Sequence, residues 1–139
     1  MPVERTLAIV KPDAFGRGLQ GDIISRIQKA GFKIAAIKSL HLTKKEAEGF
    51  YAVHSARPFF GELTEFMSSG KVVVLALEAE GAILKWRDTM GATDPKKAAP
   101  GTIRCDLGTS IGNNCTHGSD APDTAAFELG YFFAGYELI

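Results

Sequence analysis

The apolar run at residues 71–78, KVVVLALE, constrains the fold more than any other stretch of this 139-residue chain. Its apolar side chains are nearly continuous, which is typical of a strand buried on both faces. A sheet built around such a strand needs helices packed against it. We therefore predict a buried strand at residues 71–78, in one sheet that is covered by helices.

Further strands and helices follow from the remaining patterns. Proline cannot continue a central strand, so the run TLAIV ends as a strand at Lys11 and Pro12. Thr43 and Glu46 form a capping box at the start of a helix that contains Tyr51. The predicted strands are residues 6–10, 32–42, 71–78 and 113–116, and the predicted helices are residues 22–30, 43–53, 59–69, 81–90 and a last one after Pro122. This order predicts one α+β domain over residues 1–139, with no repeat or linker.

Two segments are predicted to lack regular structure. Residues 16–21, GRGLQG, match the GxGxxG pattern of dinucleotide-binding folds. Five residues separate the pattern from the preceding strand, and His41 stands near the position where an acidic residue should bind ribose, so we interpret the glycines as a flexible surface loop. Residues 91–112 form a long irregular loop, and loops of this length are usually functional or disordered.

The segment NNCTHGSD at residues 113–120 carries one histidine just before the last helix. Pro122 suits a first helical turn, and Ser119 or Asp120 can act as the N-cap. His117 is then expected on a loop beside the positive end of a helix, which suits a phosphate group. From the local sequence alone, a histidine that fills a polar niche in a loop is the favoured interpretation.

Composition limits the classes of function. Sixteen basic residues balance sixteen acidic ones, which argues against nucleic-acid or membrane-surface binding through bulk charge. Two cysteines form neither a disulfide framework nor a zinc motif. The N-terminal residues do not form a signal peptide, and the sequence contains no run long enough for a membrane span, so we expect a cytoplasmic protein.

Five segments together resemble nucleoside diphosphate kinases over essentially the whole chain. They are ERTLAIVKPDA at 4–14, GFYAVHSARPFFGEL at 49–63, WRDTMGATDP at 86–95, GTIRCDLG at 101–108 and NNCTHGSD at 113–120. NxxHGSD is a highly specific motif, and here it follows both KPDA and GATDP. The resemblance implies a ferredoxin-like α+β sandwich with a four-stranded antiparallel sheet covered by helices.

The resemblance also implies an activity and a set of site residues. The γ-phosphoryl group of ATP would pass to another nucleoside diphosphate, by a ping-pong mechanism through a phosphohistidine on His117. Tyr51 and Glu128 would position that histidine, and Phe59 would pack on the base. The residues expected to hold the phosphates and the ribose are Lys11, Arg87, Thr93, Arg104 and Asn114.

The sequence also leads to expectations about a metal ion, about the oligomer and about three residues that differ from the family pattern. Mg²⁺ is expected to be carried mainly by the nucleotide phosphates, because no carboxylate cluster resembles a metal cage. The resemblance implies a homo-oligomer built from dimers, whereas charge and composition predict no membrane or nucleic-acid partner. Ala121, Pro122 and Asp123 depart from the residues most common in the family, which puts a local hydrogen bond and possible regulatory serine chemistry in doubt.

The chemistry fits these residue types. A neutral imidazole carries a lone pair and needs no base to attack phosphorus, provided that its tautomer is fixed. Glu128 could fix it, although a surface carboxylate is also consistent with its spacing. Lys11, Arg87 and Arg104 could stabilise charge on the phosphate oxygens. The rival interpretations are a non-catalytic nucleotide-binding module and, from residues 16–21 alone, a nicotinamide-dependent oxidoreductase.

Overall fold

The computed structural model describes residues 2–139, which form a four-stranded antiparallel sheet with helices on both faces. The order across the sheet is β2-β3-β1-β4, and all neighbouring strands are antiparallel. The strands are β1 (Val3–Val10), β2 (Lys33–Leu40), β3 (Val72–Glu80) and β4 (Thr116–Gly118). This architecture confirms the predicted ferredoxin-like α+β sandwich.

The helices within residues 2–139 include the five that were predicted and two that were not. The α-helices are α1 (Pro12–Gly16), α2 (Gln20–Lys29), α3 (Lys44–Phe50), α4 (Phe60–Met67), α5 (Ala82–Met90), α6 (Ile103–Leu107) and α7 (Pro122–Phe132). The capping box at Thr43 and Glu46 is present at the start of α3. None of the helices in this part of the chain has the length and apolar character needed to cross a bilayer.

Strand β3 lies between β1 and β2 and is buried on both faces, as its sequence predicts. Side chains from one face, such as Leu75 and Leu77, pack with α2, α5 and α6. Side chains from the other face, such as Val74, pack with α3, α4 and α7. The two apolar clusters therefore use alternate residues of the same strand, in keeping with the period of two along a strand.

The prediction of a flexible loop at residues 16–21 is wrong. Pro12 occupies the first turn of α1, where its missing N–H has no partner to lose, and α2 already begins at Gln20. Only a tight turn separates the two helices, and Gly18 adopts a positive φ of 72° in it. The glycine pattern therefore serves a helix-to-helix turn, not a dinucleotide site.

The long loop predicted at residues 91–112 is partly helical. Asp94 caps a single 3₁₀ turn at Pro95–Lys97, and its side chain accepts a hydrogen bond from the Lys96 amide. Thr102 caps α6 in the same way, accepting from the Cys105 amide. Helix α6 was missed because five residues are too few for a periodic apolar pattern, and tertiary packing stabilises it instead.

The region around His117 differs from its prediction in two respects. The short strand is Thr116–Gly118, not residues 113–116, so His117 lies within β4 and pairs with Ile9 of β1. The N-cap of α7 is Ala121, not Ser119 or Asp120. Ser119 is unavailable as a cap because its hydroxyl bonds to Leu7 and Glu128, and the Thr124 hydroxyl bonds to the Ala121 amide instead.

Gly118 is required by close packing between β4 and α5. A Cβ at this position would lie 2.5 Å from Cδ1 of Trp86 and 2.7 Å from Cε of Met90. We expect Gly118→Ala to lower the free energy of unfolding by about 1–3 kcal/mol, measured by urea denaturation. Gly130→Ala is the matched control, because a Cβ there meets nothing within 4 Å and alanine favours the interior of α7. Equal stability of the two variants would contradict this packing account.

Candidate functional site

A cleft of about 480 Å³ opens where β4 meets α5 and the segment before α4, a volume typical of small-molecule sites. Eight of the nine predicted site residues line it, and the ninth, Glu128, contacts His117 directly. The eight are Lys11, Tyr51, Phe59, Arg87, Thr93, Arg104, Asn114 and His117. Residues from five separate segments of the sequence therefore converge on one space.

His117 is held on several sides. Its Nε2 lies 2.9 Å from Oε1 of Glu128, and its backbone carbonyl accepts a hydrogen bond of 3.1 Å from the Trp86 indole. The rings of Phe50 and Tyr51 lie edge-on to the imidazole, with centroids at 5.5 and 6.2 Å. The side chain is 20% exposed, so the ring is fixed in place and still reaches the cleft.

Ser119 is a site residue that the sequence interpretation missed. Its hydroxyl donates to Oε1 of Glu128 at 2.8 Å and accepts from the Leu7 amide at 3.2 Å. The carboxylate of Glu128 thus accepts hydrogen bonds on the same oxygen that faces His117. The position of Ser119 two residues after the histidine suggested only a helix cap, because nothing local shows that β1 supplies a competing amide.

Lys11, Asn114 and Thr93 form a connected polar group on one side of the cleft. The Lys11 ammonium donates to Oδ1 of Asn114 at 2.7 Å, and the Asn114 amide donates to the Thr93 carbonyl at 3.0 Å. Lys11 and Asn114 are almost fully buried. Burial lowers the pKa of Lys11, an effect that the charge of Asp13 partly opposes.

The two arginines of the cleft are held differently. Arg104 is buried and donates to the carbonyls of Thr116 at 2.8 Å and Gly91 at 3.1 Å. Burial lowers the pKa of Arg104, although guanidinium groups remain charged at any physiological pH. Arg87 is 54% exposed and pairs with Asp120 at 3.0 Å. One arginine is therefore preorganised, and the other can move to meet a ligand.

Aromatic residues shape the outer part of the cleft. Phe59, the N-cap of α4, is 48% exposed, whereas Phe60 in the first turn packs against the core. The exposed face of Phe59 suits stacking of a planar ring. Tyr51 is buried, and its burial raises the pKa of the phenol well above its ordinary value, so the hydroxyl stays protonated.

The residues that depart from the resemblance lie at the start of α7. Pro122 occupies the first turn and Asp123 adds a negative charge there, which suits a helix N-terminus. The hydrogen bond that the resemblance put in doubt has a local substitute, since the Thr124 hydroxyl bonds to both backbone groups of Ala121. In residues 2–139 no three His, Cys, Asp or Glu side chains are grouped as metal ligands would be.

Comparison with known proteins agrees with this geometry. The family model described as "Nucleoside diphosphate kinase" matches residues 4–138. The chain is 60% identical over 137 residues to a nucleoside diphosphate kinase of Syntrophotalea carbinolica, covering 99% of this chain and 100% of that protein. It is 61% identical over 139 residues to one of a Bradyrhizobium species, covering 100% of this chain and 99% of that protein.

Solved structures show the same likeness in three dimensions. The Aquifex aeolicus nucleoside diphosphate kinase superposes with a TM-score of 0.96 at 48% identity, covering 99% of this chain and 100% of that one. The Halobacterium salinarum nucleoside diphosphate kinase, solved in complex with CDP, gives a TM-score of 0.93 at 41% identity, covering 99% and 92%. Sequence and fold agree over the full length, and the chain belongs to the nucleoside diphosphate kinase family.

Proposed function

We propose that this protein transfers the γ-phosphoryl group of ATP to nucleoside and deoxynucleoside diphosphates through a phosphohistidine on His117. The observation that carries the proposal is the position of the imidazole. It shares one cleft with Lys11, Arg87 and Arg104, while Glu128 already engages one of its ring nitrogens. An oriented nucleophile among cations is what phosphoryl transfer needs.

The proposed reaction has two symmetrical steps. In this proposal Nε2–H of His117 donates a hydrogen bond to the Glu128 carboxylate, so the lone pair lies on Nδ1. Nδ1 bonds to the γ-phosphorus while the bond from that phosphorus to the bridging oxygen breaks, and the nucleoside diphosphate leaves. A β-phosphate oxygen of the second nucleotide then attacks the same phosphorus, the P–N bond breaks, and His117 is restored.

Cations and a hydroxyl act on the phosphate oxygens in both steps. Arg104 is held by two backbone carbonyls and presents its guanidinium without reorganising, which is the condition under which electrostatic stabilisation is strongest. Arg87 is exposed enough to follow the phosphates as they bind. Thr93 adds a hydroxyl at the same wall of the cleft.

Phe59, Asn114 and Lys11 would bind the nucleoside. Phe59 offers a ring face to the base and reads none of its edges, so we expect little discrimination among bases. Asn114 and Lys11, joined at 2.7 Å, would hold a ribose hydroxyl. Ribose and deoxyribose are both accepted if the 2′ position is left free.

We infer that Mg²⁺ accompanies the nucleotide, because the described residues lack a carboxylate cluster of their own and Mg²⁺ is commonly held by substrate phosphates. Bound with the nucleotide, such an ion would supply charge neutralisation at the phosphate oxygens. Asp120, which pairs with Arg87, is the one carboxylate among the described residues that line the cleft and would be available to bind one of the ion's waters.

We further propose a homo-oligomer built from dimers, a cytoplasmic location and one functional domain over residues 1–139. Strand β2 lies at an edge of the sheet, and its Ile37 is 48% exposed, which favours association with a second copy. Balanced net charge gives no support for a nucleic-acid partner. Light scattering measures the solution mass and tests the association.

Initial-rate kinetics tests the proposed mechanism. With ATP and a nucleoside diphosphate varied together, a covalent intermediate predicts parallel double-reciprocal lines, because donor and acceptor never occupy the site together. Intersecting lines would contradict the phosphohistidine route. The same assay with several bases tests the role of Phe59, and a strong preference for one base would contradict it.

We expect activity to fall at alkaline pH as Lys11 loses its proton. Burial lowers the pKa of Lys11, so the ammonium becomes neutral at a lower pH than an exposed lysine would. Activity requires the charged form and is therefore present below this pKa and lost as pH rises through it. The measurement is kcat/KM against pH, with Lys11→Arg for comparison, because arginine keeps its charge. An identical alkaline limb in both proteins would contradict the assignment.

A further inference from the structure

The turn at Cys115, between Asn114 and His117, has an unusual backbone. Cys115 has a φ of 74° and is the only non-glycine residue with a positive φ within residues 2–139. The Thr116 amide donates to the Asn114 carbonyl at 2.9 Å, which closes a γ-turn centred on Cys115. This kind of turn is rare and strained, so neighbouring groups must hold it in place.

Residues 11 and 13 hold both backbone groups of Cys115. The Lys11 amide donates to the Cys115 carbonyl at 2.8 Å. Oδ2 of Asp13 accepts from the Cys115 amide at 3.1 Å. Asp13 lies in the first turn of α1, directly after the end of β1, so its carboxylate stands on a short helix anchored to the central sheet.

The side chain of Asp13 makes no other hydrogen bond within the described residues. Its Oδ1 is buried and unpartnered there. A buried carboxylate oxygen without a hydrogen-bond partner costs free energy of folding. No polar network surrounds Asp13 in the described residues to compensate that cost. Besides the electrostatic effect of its charge on Lys11, the contact of Asp13 with the Cys115 amide is its one specific interaction within the described residues.

The turn joins two parts of the candidate site. On one side, Asn114 binds the Lys11 ammonium and the Thr93 carbonyl. On the other side, the Thr116 carbonyl accepts from Arg104, and His117 follows at once. A change in the φ of Cys115 would therefore alter the placement of His117 relative to the groups that would hold the nucleotide.

We propose that Asp13 is a positioning residue for phosphoryl transfer, whose carboxylate holds the γ-turn at Cys115 and so sets the alignment of His117 with the bound nucleotide. This inference rests on the function proposed above. Asp13 acts through the backbone of Cys115 and need not touch the nucleotide. Its loss should therefore slow phosphorylation of His117 more than it weakens nucleotide binding.

The test compares Asp13→Ala, which removes the acceptor, with Asp13→Asn, which keeps an oxygen for the Cys115 amide. Rapid mixing with ATP gives the rate of phosphohistidine formation and the ATP concentration at half-maximal rate. For Asp13→Ala we expect the maximal rate to fall about tenfold or more, since small misalignments of reacting groups cost rates of this order. We expect Asp13→Asn to recover most of that rate. Asp88→Ala removes an exposed carboxylate that does not line the cleft and should behave as wild type.

A second pair of variants separates positioning from a loss of stability. Glycine adopts a positive φ without strain, so Asp13→Ala should cost less in a Cys115→Gly background than in the wild-type background. An equal loss in both backgrounds, or no recovery with Asp13→Asn, would overturn the proposal. Thermal unfolding of every variant shows that the proteins compared are folded.

The outcomes distinguish this inference from the proposed function. If wild-type protein forms no phosphohistidine, the proposed function fails. If wild type and Asp13→Ala are phosphorylated at the same rate, the proposed function stands and the role of Asp13 is refuted.

Discussion

Replacement of His117 by alanine is expected to lower turnover by at least about 10⁴-fold, the scale seen when a covalent nucleophile is removed from an enzyme. The reason is chemical, since among the described residues that line the cleft His54 carries the one other imidazole. The His54 ring lies 6.5 Å from that of Tyr51 and 5.7 Å from that of Phe59, and within the described residues no carboxylate bonds to it as Glu128 does to His117. Turnover is measured with ATP and a second nucleoside diphosphate.

Nucleotide affinity separates loss of chemistry from loss of the site. The His117→Ala substitution leaves Lys11, Arg87 and Arg104 in place to bind the phosphates. The dissociation constant for a nucleoside diphosphate should therefore stay close to the wild-type value. His41→Ala is the matched control, because His41 contacts the Ser68 carbonyl away from the cleft. Turnover of His117→Ala near that of this control would show that His117 is not the nucleophile.

Replacement of Arg104 by alanine is expected to lower kcat by about 10²- to 10³-fold, the range for removal of one preorganised donor from a transition state. Arg104 has two roles that alanine removes together. Its guanidinium faces the cleft, and it ties the carbonyls of Gly91 and Thr116. Those carbonyls would lose their partners, so some loss of stability should accompany the loss of rate.

Arg104→Lys distinguishes geometry from charge. Lysine keeps the positive charge but cannot span two carbonyls and a phosphate with a planar fork. We expect it to recover only a small part of the rate. Arg5→Ala serves as the control, since Arg5 pairs with Glu78 and does not line the cleft. Full activity in Arg104→Ala would contradict the assignment of Arg104 to the phosphates.

Strands β1 to β3 and the longer helices could be predicted from local patterns, whereas the antiparallel four-stranded sheet was an implication of the resemblance. Strand β3 is apolar on both faces because two different layers of helices pack against it, and the sequence shows this directly. The capping box at Thr43 marks α3 through bonds between near neighbours in sequence. Such signals are local, so a single sequence is enough to read them.

The features that were missed depend on residues that are distant in sequence. His117 lies within a strand because β1 pairs with it. The Ser119 hydroxyl cannot cap α7 because it accepts a hydrogen bond from the amide of Leu7, more than a hundred residues earlier in the sequence. Helix α6 is too short to show a period, and it is fixed by contacts such as the ion pair between Arg26 and Asp106. No local pattern contains these partners.

The residues of the candidate site were predicted from the family resemblance and not from local sequence patterns. The sequence around Arg104 shows a basic residue in a loop and nothing that points it at His117. Its buried place beside Thr116 follows only from the fold. The spacing of Glu128 was equally consistent with a surface carboxylate, and its contact of 2.9 Å with the imidazole also follows only from the fold.

The most direct test of the central claim is to incubate the protein with ATP labelled in the γ-phosphate, without any acceptor, and to separate it on a denaturing gel. The account predicts a labelled chain whose phosphate is stable in alkali, is lost in acid and passes to an added nucleoside diphosphate. His117→Ala should take up no label. An unlabelled wild-type chain that still transfers phosphate between nucleotides, or a labelled His117→Ala chain, would contradict the account.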